Sequence, residues 1–281
     1  MSRLLRALRF FFVTLLSLIA FWGCPIENSL IFHPTLDIKR NPGELGLRFE
    51  DVYFLTQDRV RLHGWFIPRR DARTTLIWFH GNAGNISHRL ENLKLVHDKI
   101  KVHIFIFDYR GYGRSEGQIS EQGTYLDGEA AVKYGLQSAG GDFRRIVFFG
   151  RSLGAAVAAE MAMRFASAAL ILETPFASIA EMARTMFPLL SIRWLLRNKF
   201  DVVEKVRQIK TPILVLHGDQ DEIVPFAQAK MVFNAAREPK IFHTIPGAGH
   251  NDTYIVGGEA YFQRLRDFIP PLATTPPWGR K

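Results

Sequence analysis

The chain has 281 residues, 47% of them hydrophobic and 22% charged, with 36 Lys and Arg against 27 Asp and Glu for a formal net charge of +9. These proportions exclude a disordered chain and fit one large globular domain. The single cysteine, Cys24, excludes an internal disulfide framework and a multi-cysteine metal cluster. No HExxH spacing offers a metal site, and no basic run longer than two residues accompanies the positive charge, so no metal, cofactor or nucleic-acid partner is expected.

Residues 1–26 differ in character from the rest. Arg3, Arg6 and Arg9 precede the apolar run "FFFVTLLSLIAFW", and no charge returns until Glu27. That pattern is a membrane-targeting segment, used as an uncleaved anchor, as a lipoprotein signal acylated at Cys24, or as a cleaved signal peptide. Bulky Phe21 and Trp22 before the cysteine disfavour the lipoprotein device relative to the anchor. The basic flank orients the N-terminus toward the cytoplasm and the remaining chain to the extracytoplasmic side. The net positive charge is then read as solvated surface with some attraction to anionic lipid.

From residue 48 onward, short apolar β-rich runs alternate with helical patterns. Eight strands are predicted, "FEDVYFL", "LHGWFIP", "TLIWFH", "VHIFIFD", "RIVFFG", "ALILE", "ILVLHG" and "KIFHTI". Between the third and fourth, Ile86, Leu90, Leu93 and Ile100 recur at helical spacing; between the fourth and fifth, Leu126, Ala130 and Tyr134 do so. Runs such as "HIFIFD" are apolar on successive residues, as in strands covered by helices on both faces. The expected domain, residues 27–270, is therefore a doubly wound, mostly parallel α/β sheet. The C-terminal stretch "PPLATTPPWGRK" reads as a Pro-rich tail, taken as residues 271–281.

Active groups in such a sheet gather beyond the carboxyl ends of its strands. After the fifth strand, "FFGRSLGAA" places Ser152 between Gly150 and Gly154, ahead of an Ala-rich helix. A sharp strand-to-helix turn exposes a serine hydroxyl there, and larger side chains two positions away would collide. A serine that merely caps the following helix is the plain alternative. A nucleophilic serine needs a base, and His250 in "PGAGHND", after the last strand, is the histidine that follows every candidate acid. Three carboxylates at strand ends lie between them: Glu173, Asp219 and Asp221. Order does not separate these. Asp219 directly follows the Gly218 turn, where an Asx-type bond to its own loop is a structural task. Asp221 stands further out, and Pro225 is expected at the first helical position beyond it.

The blocks "WFHGNAGN", "FDYRGYGRSEG", "FFGRSLGAA", "LETPFAS", "LHGDQDEIVP" and "GAGHND", in this order and spacing, resemble the α/β-hydrolase superfamily, closest to its Bem46-like membrane-associated serine hydrolases. The resemblance runs from about Ile31 to Ile269. It implies an eight-stranded α/β-hydrolase fold with a short helical cap at about 176–200. It also implies Ser152 as nucleophile, Asp221 as triad acid and His250 as base, with backbone N–H groups of Asn82 and Leu153 forming the oxyanion hole. Asp108 and Glu173 are expected to hold loops.

The activity so implied is hydrolysis of carboxylic esters or thioesters, with lipid or acylated molecules as substrates, through an acyl-enzyme. A serine aminopeptidase is the chemical rival, and a non-catalytic membrane-tethered binding protein is the rival of another class. The cap from Phe176 to Phe200 is rich in Phe, Met, Leu and Trp, suiting either an acyl chain or simple packing on the core. Arg151 stands where relatives often carry Gln; facing the mouth it would favour anionic substrates, and otherwise it is a surface arginine.

Overall fold

Strands that are apolar on every residue need cover on both faces, and the computed structural model, which describes residues 27–186 and 196–270, supplies it. Eight strands form one sheet in the order β10-β9-β8-β7-β4-β6-β3-β2. They are β2 (Glu50–Leu55), β3 (Arg61–Ile67), β4 (Thr75–Phe79), β6 (His103–Phe107), β7 (Ile146–Arg151), β8 (Ala169–Glu173), β9 (Ile213–Gly218) and β10 (Lys240–Ile245). Only β3 runs against the rest. All eight predicted strands are present. Two short strands not predicted from sequence, β1 (His33–Pro34) and β5 (Ala83–Gly84), pair with each other.

The pleat sends alternate residues into two separate cores. Ile77, Phe79, Phe105, Phe107 and Phe148 face the helices Glu121–Ser138 and Leu153–Arg164. Leu76, Trp78, Ile104, Ile106 and Phe149 face Leu90–Ile100 and Gly258–Phe268. Each fully buried aromatic or aliphatic side chain contributes roughly 1.5–3 kcal/mol of transfer free energy. This two-sided burial is why central strands show no polar alternation.

Strand order reverses around β4, whose neighbours are β6 on one side and β7 on the other. The reversal opens a crevice beyond the carboxyl ends of β4 and β7, because the connecting helices leave on opposite faces there. The loop after β4 and the turn after β7 both empty into it.

The expected membrane segment 1–26 with Cys24, the centre of the expected cap at 187–195 and the tail 271–281 lie outside the described residues. No helix among the described residues is long and apolar enough to cross a membrane. The described parts of the cap region include the helix Ile179–Met186. One boundary differs from expectation: Pro225 is the N-cap of the helix Phe226–Ala235, not its first residue. Its ψ of 135° is extended, which leaves the helix to begin at Phe226.

Candidate active site

Ser152 follows β7 with φ 52° and ψ −118°, a left-handed conformation that costs a non-glycine residue about 1–3 kcal/mol. The flanking glycines make it attainable. A Cβ on Gly150 would lie 2.4 Å from the Gly154 carbonyl oxygen, and one on Gly154 would lie 2.0 Å from that of Phe79. The helix Leu153–Arg164 therefore begins hard against the β4 end, with the Ser152 side chain making no capping bond to it. That disposes of the plain N-cap alternative.

The structure brings Ser152, His250 and Asp221 into one hydrogen-bonded row. His250 Nδ1 lies 2.8 Å from Asp221 Oδ2, and His250 Nε2 lies 3.1 Å from Ser152 Oγ. With an ionised Asp221, Nδ1–H donates to the carboxylate and Nε2 is left to accept the serine hydroxyl. The Asp221 side chain is fully buried. Burial alone pushes its carboxyl up, but the hydrogen bond and charge of His250 and the Val224 N–H more than offset this, so its pKa lies below the ordinary value.

Asp221 faces His250 as expected, but the turn bonds expected of Asp219 belong to Asp221 as well. Asp221 makes the local Asx-type bonds, its Oδ1 accepting the N–H groups of Ile223 and Val224 at 2.9 and 2.7 Å. Asp219 makes no such turn; its Oδ1 accepts the Gly247 N–H at 2.7 Å, tying the β9 loop to the loop that carries His250. Asp221 is thus locked from behind while its second oxygen reaches the imidazole. Glu173 lies elsewhere: its carboxylate accepts the Thr253 hydroxyl, and Arg151 Nε stands 3.6 Å from it. Asp108, whose pKa burial raises, accepts the Ile86 N–H at 2.9 Å and supports the loop after β4.

Asn82 and Leu153, the expected oxyanion-hole donors, line the same cavity as Ser152. A Cβ on neighbouring Gly81 would lie 3.6 Å from Ser152 Cβ, so the 80–84 loop packs directly on the nucleophile position. Asn82 is oriented by its side chain, which donates to the Ile31 carbonyl at 2.8 Å, and by its own carbonyl, which accepts the Tyr112 hydroxyl at 2.7 Å and the His33 N–H at 3.1 Å. Leu153, first in its helix, has no carbonyl a turn below to occupy its N–H. Beneath the loop His80 is fully buried, and burial lowers its pKa to about 3, keeping it neutral.

Several supporting residues carry no sequence signal of their own. His217, buried and held neutral by that burial, stands 3.3 Å from Asp221 Oδ2 and bonds the Val224 carbonyl at 3.0 Å. Glu222 accepts the His250 N–H at 3.1 Å. Arg151 is not a surface arginine: it is 7% exposed, donates to the His250 carbonyl and to Asn251 Oδ1, and reaches the wall of the cavity over Ser152. The HGDxD spacing would have flagged His217 only if its i, i+4 relation to Asp221 were read as contact across a turn.

A cavity of about 510 Å³ opens over Ser152, within the range of small-molecule sites. Leu30, Ile31, Phe176, Ile179, Met182 and Met186 give much of its wall, with His250, Asn82, Arg89 and Arg151 also facing it. No group of His, Cys, Asp and Glu among the described residues is arranged to hold a metal ion. The arrangement suits covalent acyl transfer at the serine.

A family model described as serine aminopeptidase, S33, matches residues 70–201 and 186–253. The chain is 38% identical over 272 residues to the alpha/beta hydrolase domain-containing protein WAV2 of Arabidopsis thaliana, covering 88% of each chain. It is 35% identical over 237 residues to protein bem46 of Schizosaccharomyces pombe, covering 81% of this chain and 79% of the other. Among solved structures it superposes on an esterase of Pyrococcus furiosus with a TM-score of 0.69 at 21% identity, covering 85% of this chain and 97% of the esterase.

Proposed function

This chain belongs to the α/β-hydrolase superfamily, and within it to the Bem46-like proteins, and from that membership we propose that it is a serine hydrolase of carboxylic esters or thioesters. The observation that carries the reading is the Ser152–His250–Asp221 row at a strained strand-to-helix turn. His250 Nε2 takes the hydroxyl proton as Ser152 Oγ attacks the substrate carbonyl carbon. The C=O π pair moves onto oxygen, and the backbone N–H groups of Asn82 and Leu153 receive that oxyanion, each such donor being worth about 3–4 kcal/mol in the transition state. The tetrahedral adduct collapses, breaking the bond to the alcohol or thiol, which leaves with the proton from His250. Water then gives a proton to His250 and attacks the acyl-serine, and the second collapse returns the proton to Ser152 and releases the acid.

Hydrolysis of esters is favoured over aminopeptidase action by the cavity wall. It is mostly apolar and bears two guanidinium groups, Arg89 and Arg151, which repel the free α-ammonium an aminopeptidase must bind. The apolar wall instead matches an acyl chain. The membrane association read from residues 1–26 belongs to the same proposal, since Glu27 and Leu30, directly after that segment, already line the cavity.

A fluorophosphonate probe should label the wild-type protein and not Ser152→Ala. Absence of label on folded wild type would sink the enzyme reading. Nitrophenyl esters should be turned over in preference to aminoacyl anilides; the reverse order would make the chain a peptidase.

A further inference from the structure

The cavity wall is split in chemistry, and the polar part is cationic. Arg89 ends the turn Ile86–Arg89 after β5, and Arg151 ends β7 beside the serine. Both line the cavity. They are close enough that burial first, and the charge of Arg151 second, lower the Arg89 pKa to about 10. Asp108 offsets part of the charge on Arg89 and Glu173 part of that on Arg151, and an anion in the cavity would offset more.

Neither guanidinium has all its N–H donors satisfied by the protein. Arg89 donates to the Ala83 carbonyl, no carboxylate pairs with it among the described residues, and its Nε–H is buried without an acceptor. Arg151 gives one nitrogen to the His250 carbonyl and Asn251, and its Nε–H is likewise buried without a hydrogen-bond acceptor, 3.6 Å from Glu173. Glu27, the carboxylate that shares the cavity wall, is turned to the backbone N–H groups of Arg197 and Asn198 at 2.8 to 3.1 Å. The apolar wall meanwhile runs out to an exposed rim, with Leu30 69% and Met186 66% exposed.

From this juxtaposition we propose that the substrate is an amphipathic anion: an ester or thioester with an apolar chain against the Leu30, Ile179 and Met182 side of the cavity and a carboxylate or phosphate held by Arg89 and Arg151. The inference rests on the hydrolase reading above and deepens it by naming the substrate class. Arg89 is the specificity-determining residue. Arg151 has two roles, since its bond to the His250 carbonyl also positions the base.

Two substrate pairs differing in charge at constant acyl chain test it. They are 4-nitrophenyl octanoate against 5-octanoyloxy-2-nitrobenzoate, which adds a carboxylate, and 1-oleoylglycerol against 1-oleoylglycerol 3-phosphate. Wild type should favour the charged member of at least one pair by about tenfold in kcat/KM, a size typical of a charged hydrogen-bonded contact. Which pair shows it identifies the anion as carboxylate or phosphate. Arg89→Gln should lower the charged-to-neutral ratio by about the same factor, and Arg89→Lys should restore part of it. An equal or inverted wild-type ratio in both pairs, or a ratio unmoved by Arg89→Gln, overturns the proposal while leaving the hydrolase reading intact. No turnover of any member together with no fluorophosphonate label overturns both.

Discussion

The pair Asp219 and Asp221 differ in what their second oxygen can reach. Asp221 spends Oδ1 on two N–H groups of its own loop, which aims Oδ2 at His250; Asp219 spends Oδ1 on Gly247. Asp221→Asn should lower kcat by about 10⁴, because an amide facing Nδ1 sets the wrong imidazole tautomer. Asp219→Asn keeps an acceptor for Gly247 and should cost less than about tenfold. Steady-state kinetics on one ester would check both, and comparable losses in folded proteins would mean the roles are misassigned. Asp221 also has a pH signature. Its folded pKa is depressed, so its contribution to stability is fully present above its unfolded pKa of about 3.9 and is lost as pH falls through the folded value. Denaturant unfolding from pH 6 downward should therefore show a steeper acid loss in wild type than in Asp221→Asn.

At the scale of elements, the turn between β7 and the helix Leu153–Arg164 is held by close backbone approach rather than by side-chain bonds. The Gly154 Cα faces the Phe79 and His80 carbonyls so closely that a methyl group has no space. Gly154→Ala should push the helix start off the β4 loop and cost about 3 kcal/mol or more, with loss of fluorophosphonate labelling. Thermal unfolding measures the first effect. A variant with wild-type melting and full labelling would show that the turn yields more easily than its packing indicates. The His250 loop is held differently, by side chains from outside it: Asp219 on Gly247 and Glu222 on His250, with Asp252 closing on Gly249.

At the scale of the whole molecule, the segment just after the expected anchor is part of the site. Ile31 and His33 fasten Asn82, and Thr35 bonds both the Gly84 carbonyl and, through its own carbonyl, Asn85. Deleting residues 1–26 should move the protein from the membrane fraction to the soluble one and leave ester hydrolysis in place. Extending the deletion through Pro34 removes β1 and should cost about a hundredfold in kcat/KM, since a misplaced oxyanion donor is a geometric loss. Fractionation and kinetics on the two truncations would test this; a soluble full-length chain in cells would contradict the anchor, and an active longer truncation would contradict the strap.

The sequence alone marked the eight strands, because the central ones, covered on both faces, are short runs apolar on nearly every residue, and turn residues bound all eight. It also marked Ser152, since the two glycines around it have a local steric cause, and left His250 as the base by its place after the last strand. It left Glu173, Asp219 and Asp221 equivalent by order, and resemblance, not local chemistry, separated them. Only the tertiary structure decided that Asp221 and not Asp219 makes the turn bonds, that Arg151 is buried against the His250 carbonyl, that His217 and Glu222 brace the row, and that Arg89 and Arg151 line one cavity. Those facts depend on which way each side chain turns and on which residues far apart in the chain meet, as Arg151 and Glu222 meet His250, and no local pattern of charge or hydropathy encodes a contact across the sheet.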